Sequence, residues 1–227
     1  MNDAQRLSLP EGVPPGIEIW LLKLNLQAPI SNSDFLLLNE YERANALRFH
    51  THADQVRSTA TRAALRRLLV TKVAMPSCKL NFLTNNFGKP YLKGASDIDF
   101  NVSHAGEYAL IAISTKGKIG VDIEDCDRQL DVRALSEYVF TRIERQCAIE
   151  TTEDFIKRWV AKEAVLKAVG VGISEHLQVV SVLPDNNEGY RVICDYPKWE
   201  GIKVWSIKVP NRYAAALAVH ARRTLHG

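Results

Sequence analysis

The sequence has no paired cysteines, no membrane-length apolar run and no disorder signature. Its four cysteines, Cys78, Cys126, Cys147 and Cys194, are scattered with no CxxC spacing. Neither a zinc knuckle nor a disulfide framework is expected, and all four read as free thiols. The opening MNDAQRLSLPEGVPPG is polar and proline-rich with no apolar stretch of the signal-peptide kind, and no later run approaches the ~18 apolar residues of a membrane span. The expected compartment is the cytoplasm, with no membrane partner. No basic run is interleaved with aromatics, so nucleic acid is not an expected partner.

What is present suits a compact α+β protein. The chain has 227 residues, 46% hydrophobic and 24% charged, enough for one large domain or two small ones. The net charge of +3 is unevenly spread: Arg43 to Lys72 holds seven Lys or Arg against Asp54 alone, whereas Asp122 to Asp154 holds ten acids and four bases. A basic first half facing an acidic second half fits an anionic ligand clamped between arginines and a carboxylate-bound cation. Arg62, Arg66 and Arg67, in RAALRRLL, fit a solvated helix face equally well.

The same order of elements recurs at an offset of about 100 residues. Residues 17–24 and 119–126 read as strands. ATRAALRRLLV near Arg62 and VAKEAVLKAVG near Lys162 read as helices. Two strand–turn–strand segments follow, with Asn-rich turns that place Gly88 against Gly189, and EYALIAIS and RYAAALAVH close each half. The expectation is two pseudo-symmetric α+β halves, 1–116 (basic) and 117–227 (carboxylate-bearing), built as antiparallel sheets flanked by helices. Helix starts are expected at Ser31 or Ser33, for a helix ending near Phe49. Others are expected at Thr141, through a capping box with Glu144, and at Thr151 or Thr152.

Four stretches carry chemistry. In Trp159–Ser174, helical spacing puts Val160, Ala161, Ala164, Val165, Ala168 and Val169 on one side and Trp159, Glu163 and Lys167 on the other, with Gly170 and Gly172 ending the helix. In GVDIE, strand alternation turns Asp122 and Glu124 to one face with Cα atoms roughly 6 to 7 Å apart. Such a pair is tolerable in water on an edge strand, or when a hard cation such as magnesium or calcium neutralises it; with Glu163, three carboxylates could hold one magnesium. FNVSHAG, Phe100–Gly106, reads as a turn offering Asn101, Ser103 and His104 to phosphate oxygens, with no acidic partner nearby for a hydrolytic triad. Gly88-Lys89-Pro90 reads as a turn, and His50 and His52 read as loop residues.

GKP, FNVSH, GVDIE and WVAKEAVLKAVGVG, in this order and spacing, resemble the signature set of the Sfp-type 4′-phosphopantetheinyl transferases over nearly the whole chain. The resemblance implies that family's duplicated α+β fold and a magnesium-dependent reaction. In it, the phosphopantetheine arm of coenzyme A, the co-substrate, passes to a serine of an apo acyl or peptidyl carrier protein, releasing 3′,5′-ADP. Fatty-acid, polyketide or nonribosomal peptide synthesis would be served.

The resemblance makes Asp122, Glu124 and Glu163 the metal ligands, and Glu163 or metal-bound water the base. Lys167 is implied on the pyrophosphate, Ser103 and His104 on coenzyme A phosphates, Lys89 and Pro90 near the adenine, and Arg48 and Arg57 on the 3′-phosphate. The chain departs from the family upstream of Phe49, where Glu42 and Asn45 stand at positions that often carry lysines. A monomer is expected, because two halves supply both walls of one site. A magnesium-dependent nuclease or phosphodiesterase, and a non-catalytic coenzyme A or carrier-binding protein, are the alternative readings.

Overall fold

The computed structural model describes residues 4–185 and 189–221. Strands β1 (Ala4–Arg6) and β2 (Ile17–Lys23) lead to helices α1 (Asn32–Leu37), α2 (Glu40–Leu47) and α3 (His52–Val73). The hairpin β3 (Phe82–Thr84) and β4 (Pro90–Leu92) follows, then β5 (Asp99–Ala105), β6 (Tyr108–Ser114) and β7 (Gly117–Asp125). Helices α4 (Val132–Val139), α5 (Thr152–Val169) and α6 (Ile173–His176) precede β8 (Val180–Pro184), β9 (Gly189–Cys194), β10 (Ile202–Ser206) and β11 (Tyr213–Ala221).

The strands form one sheet of order β1-β2-β6-β5, a second of order β7-β11-β10-β9-β8, and the separate β3-β4 pair, with antiparallel neighbours throughout. The internal repeat is visible in the neighbours: β2-β6-β5 with α3 corresponds to β7-β11-β10 with α5.

Period-two alternation builds the layers. On β7, Ile119, Val121 and Ile123 pack against Ile17, Ile19, Leu110 and Ala112 between the two sheets. On β6, Ala109, Ile111 and Ile113 turn the other way to meet Ala60, Ala64, Leu65 and Leu69 of α3. On β11, Ala214, Ala216 and Ala218 face Val160, Ala161, Ala164, Val165 and Ala168 of α5. The order is helix, sheet, sheet, helix. Small residues on both α5 and β11 bring that helix close to its sheet, which positions the chemistry described below.

Several local expectations change. The segment from Ser31 to Phe49 is two helices, because Asn39 and Glu42 exchange side-chain and backbone hydrogen bonds in a capping box that starts a second helix. Phe100–Ala105 is strand rather than turn, paired residue by residue with β6, and the turn is confined to Gly106–Glu107. The Thr141–Glu144 box forms, yet it opens only a single 3-10 turn, Glu144–Gln146, because the Glu144 carboxylate is drawn into the core by Lys162 and the Val182 amide. His52 begins α3, with its ring nitrogen against the Ala28 carbonyl. Helix α5 does end at the first expected glycine: Val169 is its last residue and Gly170 takes the left-handed cap at φ 80°. Thr151 caps its start, in a capping box with Asp154. The Asn186–Glu188 part of the second expected turn lies outside the described residues.

Candidate active site

The site is built where two edge strands meet. β5 ends the first sheet and β7 the second, and the open amides of β7 are met by side chains of β5 rather than by backbone. Asp99 Oδ2 accepts from Ile119 N–H at 2.8 Å and Asn101 Oδ1 from Val121 N–H at 2.9 Å. Two residues further along, the Ser103 hydroxyl donates to Asp122 Oδ1 at 2.6 Å. One face of β5, read at every second residue, thus satisfies the strand edge and then reaches the first carboxylate. Asp122 is only 1% exposed, so the solvated-edge alternative for this pair does not hold.

From the other side α5 supplies the charge. Lys167 Nζ lies 2.5 Å from Asp122 Oδ1, 3.2 Å from Ser103 Oγ and 3.4 Å from Glu163 Oε2. Burial disfavours the Lys167 ammonium, but Asp122 and Glu163 outweigh it and raise its pKa. Glu163 moves up to about 7, through burial first and the Asp122 charge second, with Lys167 opposing. Glu124, raised by burial and by Asp122, is held at 2.7 Å by Arg128.

Among the described residues no three acidic, histidine or cysteine side chains converge as a formed metal site. The ammonium of Lys167 stands between Asp122 and Glu163, and Arg128 draws on Glu124. Asp122 Oδ2 is nevertheless buried with no hydrogen-bond partner. That orphaned oxygen, with the oxygens of Glu163 and Glu124, is a donor set suited to a hard divalent cation.

A second feature opens beside this cluster, a cavity of about 190 Å³ walled by α3, Phe49, Pro90, Val102 and His104. Arg57 enters it from α3, ion-paired to Asp54 and donating to the Gly106 carbonyl at 3.1 Å. His104 follows Ser103 on β5 and, by alternation, points to this opposite side. The ring keeps solvent contact at the mouth, yet the walls remove enough water, with Arg57 and Lys167 nearby, to lower its pKa. Arg57, Pro90 and His104 therefore share one cavity, and Ser103 and Lys167 share the carboxylate cluster.

Two candidates lie elsewhere. Arg48 caps the end of α2, exposed and outside the cavity wall. Lys89 turns inward, with Nζ 2.8 Å from Asp99 Oδ2 and 2.9 Å from the Ile119 carbonyl, and burial lowers its pKa against the pull of Asp99. It ties the β3-β4 hairpin to the seam between the sheets, and Asn85 ties the same hairpin to the end of α5 by donating to the Gly170 carbonyl at 2.8 Å.

Residues 118–218 match the 4′-phosphopantetheinyl transferase superfamily, and residues 31–116 match a family described as 4′-phosphopantetheinyl transferase, N-terminal. A Synechocystis protein named for this activity is 34% identical over 180 residues, covering 76% of this chain and 72% of its own. The chain belongs to the 4′-phosphopantetheinyl transferase superfamily. The transferase HetI of Nostoc is 30% identical over 168 residues, 70% of this chain and 71% of that protein. The transferase Sfp of Bacillus subtilis is 26% identical over 144 residues, 62% and 64% respectively. A solved holo-(acyl-carrier-protein) synthase from Bacillus anthracis, in complex with coenzyme A, has a TM-score of 0.39 and 25% identity over 46% of this chain and 95% of its own.

In this 4′-phosphopantetheinyl transferase, a residue with no role assigned from sequence anchors α5. Lys162, beside Glu163, is fully buried with its Nζ 2.5 Å from the equally buried Glu144. Lys162 lies between Ala161 and Glu163 in sequence and falls at the edge of the apolar side of the helix, beside Val169, where a buried ammonium needs an acidic partner. The arginines of α3 also separate. Arg66 is 1% exposed and bound to Glu42, so it is not on a solvated face, whereas Arg67 is exposed and reaches in to the buried Asp34.

Proposed function

We propose that this chain transfers the 4′-phosphopantetheine arm of coenzyme A to a serine hydroxyl of an apo acyl or peptidyl carrier protein, releasing 3′,5′-ADP, with magnesium required. The observation that carries this reading is the Asp122–Lys167–Glu163 cluster set directly beside a cavity lined by arginine and histidine. Residues 1–116 supply the cavity and residues 117–227 the carboxylates, so a monomer in the cytoplasm suffices.

The nucleotide end of coenzyme A occupies the cavity, with Arg57 on its phosphate and Pro90 and His104 along its wall. The pyrophosphate then reaches Ser103 and Lys167. Asp122, Glu163 and Glu124 would hold magnesium, which when bound neutralises charge on the pyrophosphate. Lys167 adds a second cation, kept protonated by its carboxylate neighbours. The carrier serine oxygen forms a bond to the phosphorus that bears the pantetheine arm, the bond from that phosphorus to the bridging oxygen breaks, and 3′,5′-ADP leaves. Glu163 accepts the serine proton.

Intact mass measurement of several apo carrier proteins, incubated with the chain, coenzyme A and magnesium, tests this. A gain of one phosphopantetheine group on a carrier is expected. Unmodified carriers throughout, with cleavage of nucleic acid, would favour the phosphodiesterase reading instead.

A further inference from the structure

Three residues that line the cavity each carry a buried hydrogen-bond donor with no partner. Arg57 uses its two terminal nitrogens on Asp54 and Gly106, but its Nε is buried and unpartnered. Arg62 Nη1 and Thr61 Oγ1 are buried and unpartnered as well. All three residues line the same cavity and project from one face of α3, at positions i, i+4 and i+5. Unmet buried donors of this kind are costly, and each points to an acceptor that the ligand brings.

The charge on this wall points the same way. Asp54, the acid in the cavity, is taken up by the Thr51 hydroxyl and Arg57. Glu42 Oε2 is bound by Arg66, whose Nη2 and Nε lie 2.7 and 2.8 Å away, while Oε1 is buried with no hydrogen bond. Arg62 stands 3.6 Å from the other Glu42 oxygen, with its guanidinium 4.7 Å from the Phe82 ring centroid. It is thus held in place by a ring and a shared carboxylate while keeping a nitrogen unused. One unused nitrogen on each of two guanidinium groups and a hydroxyl, on residues that line one cavity, match a phosphate monoester, with its three terminal oxygens, better than a carboxylate or a neutral group.

We infer that Arg62 is a further binding residue of this enzyme, holding the 3′-phosphate of coenzyme A together with Arg57 and Thr61. The assignment rests on the transferase reading above. It fills the place that the exposed Arg48 does not reach, and it makes Arg62 the residue that distinguishes coenzyme A from dephospho-coenzyme A.

Calorimetric titration of the whole protein with 3′,5′-ADP and with 5′-AMP separates the two readings. Wild type is expected to bind 3′,5′-ADP at least about tenfold more tightly than 5′-AMP. Arg62→Met should lose that preference while its 5′-AMP affinity stays within about twofold. Arg62→Lys should fall between, because an ammonium keeps the charge and loses the fork. If the methionine variant melts early, Arg62→Gln replaces it. A variant that folds and keeps the wild-type preference overturns the inference, as does equal loss of both nucleotides. Wild type that binds neither nucleotide overturns the transferase reading along with it, whereas tight 3′,5′-ADP binding without carrier modification overturns that reading alone.

Discussion

Gly120 of β7 lies so close to Ala164 of α5 that a methyl group on its Cα would overlap the Ala164 carbonyl oxygen and the amide nitrogen of Ala168. No side chain could stand between strand and helix at this point. The contact fixes the height of α5 above β7, and Asp122 is two residues along that strand while Lys167 is one turn along that helix. The 2.5 Å approach of Lys167 Nζ to Asp122 depends on this glycine.

Gly120→Ala is therefore expected to push α5 away, costing about 1–3 kcal/mol as overpacked sites do and separating Lys167 and Glu163 from Asp122. Urea unfolding reads the first effect and carrier modification the second. A variant with wild-type stability and full transfer would show that the helix can ride higher without harm.

Lys162→Met should be among the most destabilising single changes in the chain. It leaves the Glu144 carboxylate buried without its cation, a loss of about 3–5 kcal/mol for a broken buried pair. Glu144 must stay, because its two oxygens also receive the Thr141 and Val182 amides. Denaturant midpoints for Lys162→Met and Glu144→Gln compare the two, and a methionine variant within 1 kcal/mol of wild type would contradict the account.

The pairing of Asp122 with Glu124 on one strand face and of Glu163 with Lys167 on one helix face is legible in the sequence, because period-two and period-3.6 patterns fix which residues share a face, while the meeting of strand and helix is implied only by the motif set. Thus Asp122 and Gly120 face α5 while Val121 faces the other sheet. What periodicity does not carry is the partner across space. Nothing local states that Lys89 will fold inward onto Asp99, that Glu144 will sink onto Lys162 and stop a helix after one turn, or that Arg62 rather than Arg48 will line the cavity. Ser103 and His104 show the same limit: taken as a turn, they share one environment, but as strand residues they face opposite sides and enter different parts of the site.

Asp122→Asn keeps shape and removes charge. Carrier modification should fall at least about a hundredfold, since even outer partners of metal ligands cost 10–100-fold. Thermal melts add an independent readout: magnesium should raise the melting temperature of wild type and leave that of the variant unmoved. Equal magnesium shifts in both proteins would remove Asp122 from the ligand set.

The start of α5 titrates. The Asp154 carboxyl is held below its ordinary value, first by the Thr151 hydroxyl and then by backbone amides, with burial opposing. A carboxyl depressed in the folded state stabilises above its unfolded pKa of about 4 and loses that contribution as pH falls through its lower folded value. The stability gap between wild type and Asp154→Ala should be full at pH 6 and close progressively below about pH 4. A gap that is the same at pH 6 and at pH 2.5 would show that the carboxylate charge plays no part in the cap.

The most direct test of the central claim counts both products of one reaction. With coenzyme A, magnesium and an apo carrier, the chain should release one 3′,5′-ADP for every carrier that gains a phosphopantetheine group. Release should stop when the carrier serine is changed to alanine. Release of 3′,5′-ADP that continues with the alanine carrier, or with no carrier present, would mean that water is the acceptor and that the site is a phosphodiesterase rather than a transferase.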